Sequence, residues 1–375
     1  MRYLTSTDEF AYGGASRPGF PLLVGSDMAP LQPAQDFLIW KLLGRGRRLS
    51  RLTWESYGRR LWDYFSFLAA NEMRWNDVGQ MPGESPVAAY RDWSLGELSL
   101  DRATVNARVR LVSEFYRWAA SNGYVTLGDA QWHIQQPRHV DGVLAHLRSQ
   151  VRGKTSALAV KEWAKQPEFL TIDQIRQCFK AMEADSERIL FMLMCRVGLR
   201  ACEARSFPAR YVPLTGGSAG SMVAVRLQAR HMQLKFDKER VVDVPSDLMA
   251  DMASYAAYRR RELEGRSAET QQALVLNRDG VPFSRQALIL AFQRLSKRVG
   301  FRVRPLMLRH SYAIHTLAAL RRSKVFEGEP LLYVRDRLGH NSIQTTTIYL
   351  RQLDQLQGAN ALALDDALFD LYQAA

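Results

Sequence analysis

Cysteine is scarce in this 375-residue chain: there are three, an odd number, and no CxxC pair. That excludes a disulfide framework and a cysteine zinc site, and it leaves Cys178 and Cys195, set among apolar residues at helical spacing, as buried reduced thiols. The seven histidines include no HExxH, and the chain has neither a P-loop nor a carboxylate cluster, so no metal and no cofactor is expected. No apolar run approaches the roughly 20 residues that cross a bilayer. The opening residues, MRYLTSTDEFAYGG, lack the basic-then-apolar order of a secretion signal, so a cytoplasmic protein is expected. Acidic side chains are also in deficit, with 38 Asp and Glu against 51 Lys and Arg, a net charge of +13. Such an excess favours a polyanionic partner, nucleic acid before a membrane surface, because each cation that meets a phosphate releases condensed counterions.

What is present is material for packed cores: 47% of residues are hydrophobic and 24% charged, over a length that suits two domains. Residues 1–33 show scattered Gly and Pro without a period and read as an arm or cap. Residues 34–125 are expected as a helical domain, on the strength of two amphipathic helices. Trp54, Tyr57, Leu61, Tyr64, Phe65 and Leu68 recur on one face of a helix, with Arg51, Arg59 and Arg60 on others as candidates for DNA contact. A second helix runs from about Asp101 to Asn122 with Val105, Val109, Val112, Phe115, Tyr116 and Ala119 inward and Gly123 placed to end it. Its Arg102, Arg108, Arg110 and Arg117 are suited either to a phosphate backbone or to solvent.

Residues 126–167 form a basic linker that includes RSQVRGK, and Arg152 and Lys154 are candidates for DNA contact. The second domain, 168–375, opens on Thr171, with Gln174 completing a capping box. An apolar helix over Ile189–Val197 follows, then the loop TGGSAGS, strands at Met222–Gln228 and Val241–Val244, and helices near 246–264, 285–298, 306–320, 330–337 and 342–350. No internal repeat or low-complexity tract is present.

Within this second domain an arginine follows the glycine that ends an apolar helix, a lysine lies at a hairpin turn, and RH is followed by GH and a tyrosine. Each feature alone has an ordinary reading: a surface ion pair, a solvated turn, a half-buried tyrosine. Their order is more specific. CRVGLRACEA (195–204), LKFDKERVVDVP (234–245), LMLRHSYAIHTL (306–317) and LGHNSIQTTTIYL (338–350) resemble, in sequence, the boxes of the tyrosine recombinase or phage integrase family. WESYGRRLWDYFSFL and TVNARVRLVSEFYRWAASNGYV are similar to that family's helical core-binding domain.

The resemblance implies a mainly α fold with a small β-sheet, arranged as a two-domain DNA clamp of a helical core-binding domain and a catalytic domain. It implies Arg200 and Arg309 as the clamp on the scissile phosphate, Lys235 as the hairpin lysine, His340 at the position that is His or Trp in the family, and Tyr349 as the nucleophile. Glu203, Lys238 and His310 fall near the site as structural residues, and His315 as scaffold. Where the family has its other histidine, this chain has Leu306.

Elementary chemistry suits these roles. Two guanidiniums offset the charge that develops on a phosphodiester under attack, and a phenol with a pKa near 10 must shed its proton while the departing 5′ oxygen gains one. Leu306 can do neither, which leaves the first transfer to water, His340 or another side chain. The resemblance further implies duplex DNA at specific sites as partner and a homotetramer in the synaptic complex; the C-terminal segment is suited either to dock on a neighbour or to pack in cis, and accessory proteins are compatible with it. The expected activity is metal- and ATP-free cutting and rejoining of DNA through a 3′-phosphotyrosine, in the service of a mobile element. The alternatives are type IB topoisomerase-like relaxation and, from another class, a catalytically weakened DNA-binding or architectural factor, which Leu306 favours.

Overall fold

The computed structural model describes residues 1–44, 46, 49–78, 85–127, 158–162, 166–213 and 222–356. Arg152, Lys154, the TGGSAGS loop and the chain beyond 356 lie outside the described residues. The chain divides into two compact units, Met1–Ala164 and Lys165–Ala375. Each is mainly helical with small antiparallel ladders. Among the described residues no helix is long and apolar enough to cross a membrane.

In the first unit, strands β1 (Arg2–Thr5) and β4 (Pro21–Val24) pair antiparallel, and β2 (Ala11–Tyr12) pairs with β3 (Ala15–Ser16). Among the described residues the helices that follow are α1 (Ala34–Leu42), α2 (Arg51–Ala70), α3 (Pro86–Gly96) and α4 (Arg102–Ser121). Ser50, Ser85 and Asp101 cap the last three by accepting from Thr53, Ala88 and Thr104 N–H groups, which satisfies donors that a helix start leaves orphaned. Residues 1–33, expected as an arm or cap, share this unit's core: Phe20 and Leu23 are buried among α1, α2 and α4 residues. The buried Gln35 ties the ladder to α1, accepting from Leu23 N–H at 3.0 Å and donating to the Pro21 carbonyl at 3.2 Å.

The expected inward residues of α4, Val105, Val109, Val112, Phe115, Tyr116 and Ala119, are all buried. The core they enter is aromatic, with Phe37 and Phe65 each edge-on to Phe115 at about 5.5 Å, a geometry that suits ring quadrupoles. The Tyr64 and Tyr116 hydroxyls meet at 2.6 Å, and Tyr116 also donates to the Trp75 carbonyl, so these buried polar tips are satisfied.

The second unit opens with α5 (Ile172–Ala181), which carries the expected capping box between Thr171 and Gln174. Helix α6 (Asp185–Arg196) is largely buried, and the short α7 (Ala201–Arg205) follows it. Strands β5 (Met222–Leu227) and β6 (Arg240–Pro245) form a hairpin in the register Met222↔Pro245 to Leu227↔Arg240. Helix α8 (Ser246–Tyr255) continues through a π turn (Ala256–Arg260) into Arg261–Glu264. Then come α9 (Arg285–Val299), α10 (Pro305–Arg322), α11 (Pro330–Leu338) and α12 (Ile343–Leu356).

Helix α10 is the central element of this unit: it packs on α6, α11 and α12. Its N-terminal half joins the main core through Met307 and Leu308, and its C-terminal half joins a second cluster that includes Tyr312, Ile314, Leu317, Leu338, Tyr349 and Leu353. Arg309 and His310 therefore sit where the two cores meet. His315, expected as scaffold, has its Nε2 2.8 Å from the Leu170 carbonyl.

Candidate active site

The site is assembled around two left-handed glycines. Gly198 ends α6 with φ 72°, and a Cβ there would lie 2.4 Å from Cδ1 of Tyr312, so only glycine allows this turn against α10. The turn delivers Arg200 to the start of α7, where its backbone N–H donates to Glu203 Oε2 at 2.8 Å. Gly339, with φ 65°, ends α11 in the same way, and it directs the chain through His340 into α12.

Glu203 is fully buried and is the hub of the charge network. It accepts from Arg200 Nη1 at 2.9 Å and from Arg240 Nη1 and Nη2 at 3.0 and 2.6 Å. Burial pushes its carboxyl upward, but the Arg240 hydrogen bonds and charge, the Arg200 N–H and the nearby Arg309 outweigh that and hold it at about 2. Arg309, 4% exposed, donates to the carbonyls of Gly198 and Leu338. Burial, then repulsion from Arg200, lowers its guanidinium to about 9. Three guanidiniums surround one carboxylate, leaving a cationic surplus that an anion would relieve.

Arg200, Lys235, Leu306 and Arg309 line one open cleft together with Arg285, Lys297 and Arg304. The residues lining it include no Asp or Glu, and the described residues hold no group of His, Cys, Asp and Glu arranged for a metal ion. Lys235 begins the turn Lys235–Asp237 in the β5–β6 connection, its ammonium 5.2 Å from the Phe236 ring centroid. Lys238 is directed elsewhere, to the His340 carbonyl at 3.3 Å and Asn341 Oδ1 at 2.9 Å. Leu306, at the second position of α10, is 62% exposed, so it is not held there by core packing.

Tyr349 projects from α12 and is 2% exposed. Burial raises its phenol above the usual tyrosine value, while Arg309 and Arg200 pull it back. The His340 ring lies nearly parallel to it at 6.3 Å between centroids, with Nδ1 2.9 Å from Thr346 Oγ1. His310, expected as scaffold near the site, touches the tyrosine itself: its Nδ1 lies 2.9 Å from Oη. Burial and neighbouring guanidiniums push His340 down to about 3, and burial and Arg309 push His310 down to about 4, so both rings are neutral near pH 7.

The expected DNA contacts of the first unit fare unevenly. Arg108 is turned inward, paired with Asp63 at 2.8 Å and stacked on Tyr90, because Asp63 on α2 faces it across the helix pair. Arg59 is paired with Glu55 and lies over the Tyr3 ring. Arg51 and Arg110 are exposed, while Arg60 and Arg117 are half-buried. Sequence reasoning missed Arg240 and the cleft residues Arg285, Lys297 and Arg304; a single arginine at the start of a strand or helix carries no local signal for such a role.

Residues 168–355 match the model of the phage integrase family. The chain belongs to this family, the tyrosine recombinases, and is by class a tyrosine-type site-specific recombinase. It is 24% identical over 259 residues to transposase A from transposon Tn554 of Staphylococcus aureus, a match covering 68% of each chain. It is 26% identical over 309 residues to the tyrosine recombinase XerC of Ralstonia pickettii (strain 12J), covering 73% of this chain and 91% of that one. Among solved structures, the Tn1549 transposon integrase in complex with a circular intermediate DNA superposes with a TM-score of 0.57 at 13% identity, over 84% of this chain and 94% of that one. The XerH site-specific recombinase in a post-cleavage complex gives 0.56 at 17% identity, over 83% and 80%.

Proposed function

We propose that this chain cuts and rejoins duplex DNA at defined sites through a 3′-phosphotyrosine on Tyr349, moving or resolving a mobile element. The observation that carries the reading is a buried tyrosine set between two neutral imidazoles and under the charge of Arg200 and Arg309, beside a cationic cleft lined by no carboxylate. A DNA-cleaving site of this composition needs an anion to balance it, and a phosphodiester supplies one. Relatives named as a transposase and as Xer recombinases, and neighbours solved on DNA, support the same reading.

In this reading Arg200 and Arg309 bind the non-bridging oxygens of the scissile phosphate, each contributing about 10²–10³-fold to the rate as fixed donors do. Glu203 and Arg240 hold Arg200 in register. Lys235 protonates the departing 5′ oxygen. The phosphotyrosine conserves the bond energy, so the 5′ hydroxyl of another strand reverses the attack without ATP. His340 packs against the tyrosine ring and limits its orientations. Exchange between two sites requires a homotetramer, with Arg51 and Arg110 available to the duplex.

Leu306 favours a second reading, a catalytically weakened DNA-binding factor. The Arg200–Glu203–Arg240 network and the His310–Tyr349 pair speak against it, since a silent factor has no use for a buried cationic surplus. The test is trapping on a nicked suicide duplex. Tyr349→Phe is expected to abolish the covalent protein–DNA adduct, and an undiminished adduct would sink the assignment.

A further inference from the structure

We infer that His310 takes the proton from Tyr349 during strand cleavage, supplying from the neighbouring helical position the function that Leu306 cannot. The inference rests on the phosphotyrosine reading above and concerns how that chemistry runs in this chain. His310 Nδ1 lies 2.9 Å from Tyr349 Oη, within the reach a general base needs. With Nε2 carrying the ring proton, Nδ1 accepts from the phenol hydroxyl and points its lone pair at the atom that must become nucleophilic.

The other groups near the phenol are less well placed. His340 presents its face to the Tyr349 ring, the two planes 23° apart, and its Nδ1 meets Thr346. Leu306 offers hydrocarbon and is largely in solvent. Arg200 and Arg309 stay cationic and cannot accept.

Placement on α10 adds a coupling. Arg309 and His310 are consecutive residues, so the group that binds phosphate and the group that takes the proton are fixed on one helical turn. The groups acting on His310 are Arg309 from its own helix, Tyr349 from α12 and His340 from the segment before α12. Burial, and after it the charge of Arg309, suppresses the basicity of His310 in the free chain. A phosphodiester docked on Arg309 offsets that cation's field, which removes the second of the two causes and makes His310 a stronger base when substrate is present.

The step balances. The Oη–P bond forms as the P–O5′ bond breaks; the phenol proton passes to His310 Nδ1, and the 5′ oxygen leaves with a proton from Lys235. On rejoining, the attacking 5′ hydroxyl returns its proton to Lys235 and His310 returns its own to Oη.

The test is single-turnover adduct formation on nicked duplexes drawn from a randomised pool by adduct formation with the unaltered chain. His310→Ala and His310→Gln are expected to bind these duplexes as the parent does and to form adduct about 10²–10⁴-fold more slowly. Added imidazole is expected to restore the rate of His310→Ala but not of His310→Gln, whose side chain fills the space, and more basic imidazoles to restore it further. A full-speed adduct in His310→Ala, or a loss indifferent to imidazole, overturns the inference while Tyr349→Phe still separately tests the phosphotyrosine reading. If the His310 variants do not fold, nitrogen NMR of histidine decides. The His310 Nδ1 resonance is expected to shift when Tyr349→Phe removes its hydroxyl partner, and an unmoved resonance overturns the inference.

Discussion

Arg108 in the first unit and Arg309 in the second are both drawn inward from the N-terminal half of a helix, yet their surroundings differ in kind. Arg108 meets one carboxylate, Asp63, beside the face of Tyr90, so charge is balanced pairwise and the aromatic core behind it stays neutral. Arg309 lies with Arg200 and Arg240 around Glu203 alone, its own donors turned to backbone carbonyls. Burying surplus cations costs stability. The first unit avoids that cost and the second accepts it, at the place where the proposed function puts the scissile phosphate.

The difference is most sharply tested at Glu203. Glu203→Gln leaves three guanidiniums without a counter-charge, and the second unit is expected to lose about 3–5 kcal/mol in denaturant unfolding, with adduct formation lost as Arg200 drifts. Its pH dependence carries a definite sign. The folded-state pKa of about 2 lies below the ordinary 4.5, so the stability it confers is present above pH 4.5 and disappears as pH falls through 2. His310 and His340, held at about 4 and 3 against an ordinary 6.5, act in the same direction from pH 6.5 downward. Unfolding followed against pH should show a steeper acid loss in the parent than in Glu203→Gln.

Leu61→Ala, in the neutral core of the first unit, is next in size. It is expected to cost about 2–5 kcal/mol through the cavity it leaves, with no change in the acid slope; a changed slope would break the contrast between the units. Thr171→Ala removes the capping box of α5 and is expected to cost about 1 kcal/mol by the same measurement. Leu306→His is the smallest. If His310 already serves Tyr349, restoring a histidine three residues before Arg309 is expected to alter the single-turnover rate by less than about tenfold. A larger gain would mean that the leucine limits the reaction.

The long helices were legible because their apolar residues repeat cleanly: α2, α4 and α8 to α11 fall within a few residues of their expected positions, and α12 starts where expected but continues past 350 to Leu356. Helices α1 and α3 escaped notice. Each is short, and in α3 the start signal, Ser85 followed by Pro86, is followed by too few turns to establish a period. The N-terminal strands are two to four residues long, below the length at which alternation registers. At the site, spacing and family likeness pointed to Arg200, Lys235, Arg309, His340 and Tyr349, and the cleft gathers the first three. His310 looked inert because local spacing is examined for partners one helical turn away. Its actual partner is on α12, brought near only by the packing of α12 on α10. Arg240 was hidden for the same reason, being a strand residue whose carboxylate is on α7.

Lys238 carries a consequence for timing. Its ammonium fastens the turn bearing Lys235 to the carbonyl of His340 and the side chain of Asn341, the short segment that leads into the helix bearing Tyr349. A displacement of that helix strains the tether, and a displacement of the turn is transmitted back along it. In the proposed reaction, in which Lys235 gives the proton and Tyr349 attacks, this tether would make the two move together rather than independently.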